Sequence, residues 1–184
     1  MSIPASRTHL FGTSGLARPA AVAAIMIVAL ALQSTLLSKL TLLGVVPQLL
    51  FVVVICLAYL EGEYVGVVVG FSAGFLLDLL IPLSLTGLTA LVYTSIAYAV
   101  GSLRQFAPSN SVWLPVFAVA VTSALAEGGY ALLSIILGER WVSLVYTGKV
   151  IGLVVLYNTL LTPFVFPLVR KIADRYRPER VVRL

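Results

Sequence analysis

The sequence predicts an all-α integral membrane protein with six transmembrane helices. Of its 184 residues, 60% are hydrophobic and only 10% are charged, and the mean hydropathy is +1.08. Soluble domains carry about 25% charged residues. Apolar runs of about 18 or more residues are typical of membrane-spanning helices, and this chain has several of them. We therefore expect a single membrane domain over residues 19–169, between an amino-terminal tail (1–18) and a basic tail (170–184).

Proline, glycine and charged residues divide the apolar sequence into six spans. The second span opens at Pro47, and an acidic turn at 61–63 separates it from the third. Both are short for a hydrocarbon core of about 30 Å, which predicts local thinning of the bilayer or helix ends shielded by partners. The predicted spans are 19–38, 47–60, 64–81, 86–103, 112–137 and 149–169.

The positive charges predict which way the protein faces. Six spans place both termini on one side, and nine of the twelve Lys and Arg residues fall there: two in the first tail, Arg104, and six after Val169. Lys39, Arg140 and Lys149 fall on the other side. The positive-inside rule then places both termini in the cytoplasm. The net charge of +5 is thus explained by topology, with a secondary contact to anionic lipid, and it does not indicate nucleic acid binding.

One stretch, 66–93, combines close-packing residues with a buried acid. Gly66, Gly70, Gly74 and Asp78 are spaced four apart, so a helix places them along one face. Glycines allow a neighbouring helix to approach closely, whereas a carboxylate within a membrane span is costly and usually functional. We expect this face either to pack the bundle or to receive the transmembrane helix of a partner.

Two further polar residues stand inside predicted spans. Glu127 lies about fifteen residues into the fifth span, at a depth similar to that of Asp78, and Lys149 enters from the same side. A cluster of these three is one possibility, although a structural ion pair, or a hydrogen bond to the end of a neighbouring helix, is favoured over a substrate or proton site. Asn158, in the sixth span, is expected to form a hydrogen bond with another helix.

The sequence offers no constellation for catalysis or for a cofactor. The single histidine, His9, lies in the first tail, and the single cysteine, Cys56, lies in an apolar run. No serine stands in a nucleophile-elbow context, and no cluster has metal-ligand spacing. We therefore predict that the protein is not an enzyme and binds no cofactor.

Several short motifs follow one another in a recognisable order along the chain. They are Gln33-Ser34, Pro47, Gly70-Phe71-x-x-Gly74-x-x-x-Asp78, Gly87-Leu88-x-Ala90-Leu91-x-Tyr93, Tyr98, Gly101, Tyr157-Asn158 and Pro163. In this order they resemble the rod shape-determining protein MreD family of the bacterial inner membrane. The chain departs from the family's pattern at Gln48, where the family often has Asp, and at Phe75, where it often has Leu.

This resemblance implies a membrane scaffold of the cell-elongation machinery. Its partners would be a periplasmic MreC-like protein, the actin-like MreB, and the peptidoglycan synthase pair of RodA with a class B penicillin-binding protein. It also implies a fold similar to the six-helix substrate-binding subunits of energy-coupling-factor vitamin transporters. The residues expected to serve partner binding or packing are Gly66, Gly70, Gly74, Asp78, Gly87, Glu127 and Asn158.

A vitamin-binding subunit of such a transporter is the main alternative function. It would need a polar, aromatic pocket in the outer half of the bilayer, which Asp78, Glu127, Trp141 and Tyr146 would supply. A third class, an independent channel or proton-coupled carrier, would be expected to show an internal repeat or a broken-helix pair, and the sequence shows neither.

Overall fold

The computed structural model describes residues 14–39, 41, 44–80, 87–106, 113–138 and 143–175. Single turns of 3-10 helix follow the first and fourth helices, at Leu37–Lys39 and Arg104–Phe106. The six α-helices are α1 (Ser14–Thr35), α2 (Leu49–Glu61), α3 (Glu63–Leu80), α4 (Leu88–Leu103), α5 (Trp113–Ile136) and α6 (Leu144–Arg175).

Four of the six helices are long and apolar enough to cross a membrane: α1, α3, α5 and α6. The other two are shorter, with 13 residues in α2 and 16 in α4. At 1.5 Å per residue, α2 rises only about 20 Å, less than the thickness of a bilayer core. The architecture of the described residues is thus that of an all-α membrane protein, with two helices of less than spanning length.

The short helix α2 forms the centre of the bundle. Ten of its thirteen residues are buried, including the unbroken run from Leu50 to Ala58. It contacts each of the other five helices. A helix that is apolar on all sides is expected to be buried on all sides. The other helices therefore shield α2 from lipid.

The start of α1 and the end of α6 lie at the same end of the bundle. Arg18, near the start of α1, forms a salt bridge with Glu61 at the end of α2, whose side chain is 4% exposed. Ile172 and Ala173, near the end of α6, lie beside the same arginine. The start of α1 and the end of α6 are therefore at one end, called here the terminal end. The opposite end holds the last turn of α1, the start of α2 and the start of α4.

Two of the predicted spans, the first and the sixth, differ most from the helices observed. α1 begins five residues before Pro19, and α6 extends in both directions, including residues 144–148 and 170–175. The lone Gly148 does not break the helix, and Thr147 already donates its N–H to the Ser143 carbonyl. Pro163 and Pro167 also lie within α6, because membrane helices tolerate proline where neighbouring groups satisfy the freed carbonyls. The predicted ends of the membrane domain, at 18/19 and 169/170, thus fall inside helices.

The outer surface of the bundle is apolar. On α3, Val68, Phe71 and Leu79 are each more than half exposed, and the rings of Phe71 and Phe75 stack with centroids 5.9 Å apart. Soluble monomers rarely expose apolar patches of this extent. The surface suits lipid or the apolar face of another membrane helix.

Candidate functional site

The three glycines of α3 bring this helix into close contact with α4. A Cβ atom built on Gly66 would lie 2.7 Å from the Ala97 carbonyl oxygen, and one on Gly74 would lie 2.4 Å from the Ala90 Cα. Gly70 faces Tyr93 with the same closeness, at 2.8 Å from its carbonyl oxygen. No side chain fits at these distances, so the glycine spacing allows the two antiparallel backbones to meet.

Asp78 caps the start of α4 from the end of α3. Its side chain is buried, and Oδ2 accepts hydrogen bonds from the backbone N–H groups of Gly87, at 2.8 Å, and Ala90, at 3.2 Å. Gly87 occupies the N-cap position with φ +100°, a left-handed conformation that favours glycine, and it has no side chain with which to cap the helix. The carboxylate therefore satisfies N–H groups that the helix itself leaves without partners.

The face formed by Gly66, Gly70, Gly74 and Asp78 is thus covered by α4. Gly101 adds the reciprocal contact from α4, because a Cβ there would lie 2.5 Å from the Glu63 Cα. A partner helix would have to contact a different surface of α3.

Asn158 joins three elements at a second polar site. It is fully buried in α6, and its Nδ2 donates a hydrogen bond of 3.0 Å to Ser123 Oγ on α5. Its Oδ1 accepts one of 3.1 Å from the backbone N–H of Gln48, just before α2. The Gln48 side chain continues the chain of contacts, since Nε2 donates to Glu127 Oε1 at 2.6 Å. We call Gln48, Ser123, Glu127 and Asn158 the polar cluster.

Gln33 is a structural residue that the sequence analysis named only as part of a family motif. Its Oε1 accepts a hydrogen bond of 2.9 Å from the backbone N–H of Leu50. The side chain of Gln48, the N-cap residue of α2, makes no capping bond of its own. The start of the central helix is therefore held by amide oxygens from α1 and α6. The sequence did contain a signal for this contact. A polar residue stands near the end of the first span, and an apolar span that opens with a proline follows it.

The structure does not bring Lys149 to the two acids. Lys149 is exposed, and no ion pair joins it to Asp78 or Glu127 within the described part of the chain. It lies nine residues before Asn158, about 13 Å along α6, whereas Glu127 lies only four residues, about 6 Å, beyond Ser123. The acids also bind different partners, so the predicted cluster of three is not formed.

A cavity of about 280 Å³ lies beside the polar cluster, towards the end opposite the terminal end. Of the pocket residues expected for vitamin binding, Glu127 lines it, whereas Asp78 caps α4 and is not among the lining residues. Tyr146 is exposed on α6, and Trp141 lies outside the described residues. No group of three or more His, Cys, Asp or Glu side chains placed to hold a metal occurs among the described residues. The cavity is lined by Gln33, Gln48, Leu77, Thr89, Val92, Tyr93, Ala126, Glu127 and Tyr130.

Two apolar grooves open on the sides of the bundle. The larger, of about 530 Å³, separates α1 from α3 and is called here the α1–α3 groove. Met26 and Val69 form its buried floor, and Ile27 and Val68 are exposed at its edges. The second groove, of about 390 Å³, lies between α4 and α5.

Comparison with known protein families finds a match over most of the chain. The family model of the rod shape-determining protein MreD matches residues 18–172, a region that contains α2 to α5 completely and most of α1 and α6. No curated protein and no solved structure matches the chain. The predicted likeness to the substrate-binding subunits of energy-coupling-factor transporters therefore stays a prediction.

Proposed function

Because the chain belongs to the MreD family of rod shape-determining proteins, we propose that it is a non-enzymatic membrane scaffold of the bacterial cell-elongation machinery. The family match over residues 18–172 is the observation that carries this proposal, since membership implies a role in determining rod shape. The apolar outer surface supports the scaffold part, because such a surface can be completed by other membrane helices.

In this role the protein binds an MreC-like partner and helps to organise peptidoglycan synthesis by RodA and a class B penicillin-binding protein, together with MreB. It resides in the inner membrane with both termini in the cytoplasm. The distribution of cations supports this orientation: Arg18, Arg170 and Lys171 all belong to the terminal end of the bundle. The opposite end, with the cavity and the polar cluster, then faces the periplasm.

The α1–α3 groove is the surface proposed to receive a partner's transmembrane helix. α1 packs on α2 and makes few contacts with α3. The groove between α1 and α3 therefore leaves one side of each of these two helices open to another helix. Its wall includes the small side chains of Ala23 and Ser72, which permit close approach. Helices associate in membranes through this kind of van der Waals contact.

Affinity purification from native membranes in mild detergent, followed by mass spectrometry, tests the proposed function. We expect recovery of an MreC-like protein and a cell-wall synthase. Recovery of paired ATPases with a transmembrane coupling subunit would instead favour vitamin uptake, and would overturn the scaffold proposal.

A substitution that fills the groove tests the docking surface. Ala23→Trp places a large ring in the α1–α3 groove, so recovery of the MreC-like partner should fall at least fivefold. Leu160→Trp is the matched control, because Leu160 is 59% exposed on α6, outside the residues that line this groove. Equal recovery with both variants, at equal amounts of inserted protein, would show that the partner binds elsewhere.

A further inference from the structure

The cavity beside the polar cluster has an excess of hydrogen-bond acceptors. Glu127 Oε1 accepts one hydrogen bond from Gln48 Nε2, and a carboxylate can accept about four. Gln48 Oε1 is buried and has no hydrogen-bond partner. Leaving a buried acceptor without a donor destabilises the structure, because the group loses its hydrogen bonds to water and gains none in return. Both groups line the same cavity, so a ligand with N–H donors would satisfy both.

The carboxyl group of Glu127 also has no cationic side chain to pair with among the residues that line the cavity. Glu127 is the acid of this wall, and none of the lining residues is Lys, Arg or His. An ionisable group within a membrane bundle usually pairs with a group of opposite charge. The ligand class that fits is therefore a cation that also donates hydrogen bonds.

The walls distinguish an organic cation from a bare metal ion. Tyr93 and Tyr130 line the cavity, and aromatic rings attract ammonium groups through their π faces. Leu77, Val92 and Ala126 supply apolar contact for an alkyl chain. The described residues offer no set of three metal-ligating side chains. A volume of about 280 Å³ suits a compact group rather than a large cofactor.

We infer that this cavity binds an alkylammonium group, with Glu127 and Gln48 Oε1 as its acceptors. The group comes either from a free amine or from a lysine side chain of a partner protein, since both present the same chemistry. The inference goes beyond the scaffold role and does not require it, because a free amine can be tested on the purified protein alone.

Calorimetric titration of the purified protein with n-butylammonium chloride, at fixed ionic strength, tests the free-amine case. We expect saturable binding that is at least tenfold weaker in Glu127→Gln, which keeps an oxygen for Gln48 but removes the charge. n-Butanol should not bind. Asp174→Asn is the control, because it removes an exposed acid at the terminal end and should leave binding unchanged. Thr89→Leu provides a second test if Glu127→Gln fails to fold. Thr89 lines the cavity, so the larger leucine side chain reduces the volume of the cavity without changing its charge, and binding of n-butylammonium should again be at least tenfold weaker.

Recovery of membrane partners with the same variants tests the lysine case. If the ammonium belongs to a partner, Glu127→Gln should reduce recovery of that partner at least fivefold, Asp174→Asn should not, and excess n-butylammonium should displace it. The inference is overturned if n-butylammonium binds wild type and Glu127→Gln equally. It is also overturned if wild type shows no saturable binding while Glu127→Gln leaves partner recovery unchanged, which would indicate a cavity filled only by water.

Discussion

One oxygen of Asp78 accepts two backbone hydrogen bonds and so fixes where α4 begins relative to α3. Its position in the sequence, four residues after Gly74, made it a candidate for function. The structure gives the same carboxylate a capping role inside the bundle, which explains why an acid ends a face of glycines.

Replacing this acid should destabilise the bundle. Asp78→Ala removes both hydrogen bonds to the start of α4, and we expect the free energy of unfolding to fall by about 0.5–2 kcal/mol, the usual range for loss of a helix cap. Thermal unfolding in detergent measures the change. Asp174→Ala removes an exposed acid whose ion pair with Arg170 spans 3.7 Å, and should change stability by less than about 0.5 kcal/mol. An Asp78→Ala variant as stable as wild type would rule out the capping role.

The α3 and α5 glycines should respond in opposite ways to alanine. Gly74→Ala places a Cβ 2.4 Å from the Ala90 Cα, so the two helices must separate, at about 1–3 kcal/mol or more. A Cβ on Gly128 meets no atom within 4 Å, and Gly128→Ala should be neutral or stabilise the helix by up to about 1 kcal/mol. The same unfolding assay checks both variants. Equal losses of stability would mean that close packing of α3 on α4 is not the reason for glycine.

At the scale of the helices, the side chain of Asn158 on α6 forms hydrogen bonds both with α5 and with the segment that starts α2. Asn158→Ala removes its bonds to Ser123 Oγ and to the Gln48 N–H, leaving a backbone donor without its acceptor. We expect a loss of about 2 kcal/mol in the free energy of unfolding. Ser123→Ala removes only one interhelical bond and should cost about 0.6 kcal/mol, the average for such bonds in a membrane protein.

A double-mutant cycle separates these contributions. The losses of Asn158→Ala and Ser123→Ala should not add, because both remove the same bond. Additive losses would show that the two side chains act independently, contrary to the 3.0 Å hydrogen bond.

Helix positions could be predicted from the sequence more reliably than helix ends. Apolar runs located all six helices, and the predicted ends of α3 and α5 agree with the structure to within one residue. The ends of α6 were wrong because residues on each side of the predicted span, such as Gly148 and Arg170, are compatible with either helix or loop. The intrinsic preference of such residues for helix or loop is weak, and it is overridden by packing and by continued backbone hydrogen bonding along the helix.

At the scale of the whole molecule, α2 is enclosed by the other five helices. Cys56 lies in α2 with 1% of its surface exposed. We therefore expect a maleimide reagent to leave the native protein in detergent unlabelled over the period in which the SDS-unfolded protein is labelled completely. A Ser38→Cys variant on a Cys56→Ala background is the control, because Ser38 is exposed after α1. Rapid labelling of native Cys56 would contradict the central position of α2.

From the sequence alone we could predict the class of protein, the six helical segments and the close-packing face of α3. These depend on composition and on regular spacing, which a single chain displays directly. Three other features became visible only in the folded bundle: α4 covers that face, α2 lies at the centre, and Gln48 forms hydrogen bonds with both Glu127 and Asn158. Those residues are 79 and 110 positions from Gln48, and contacts at such separations leave no periodic pattern in the sequence. They are selected by how the apolar and polar surfaces of whole helices fit together.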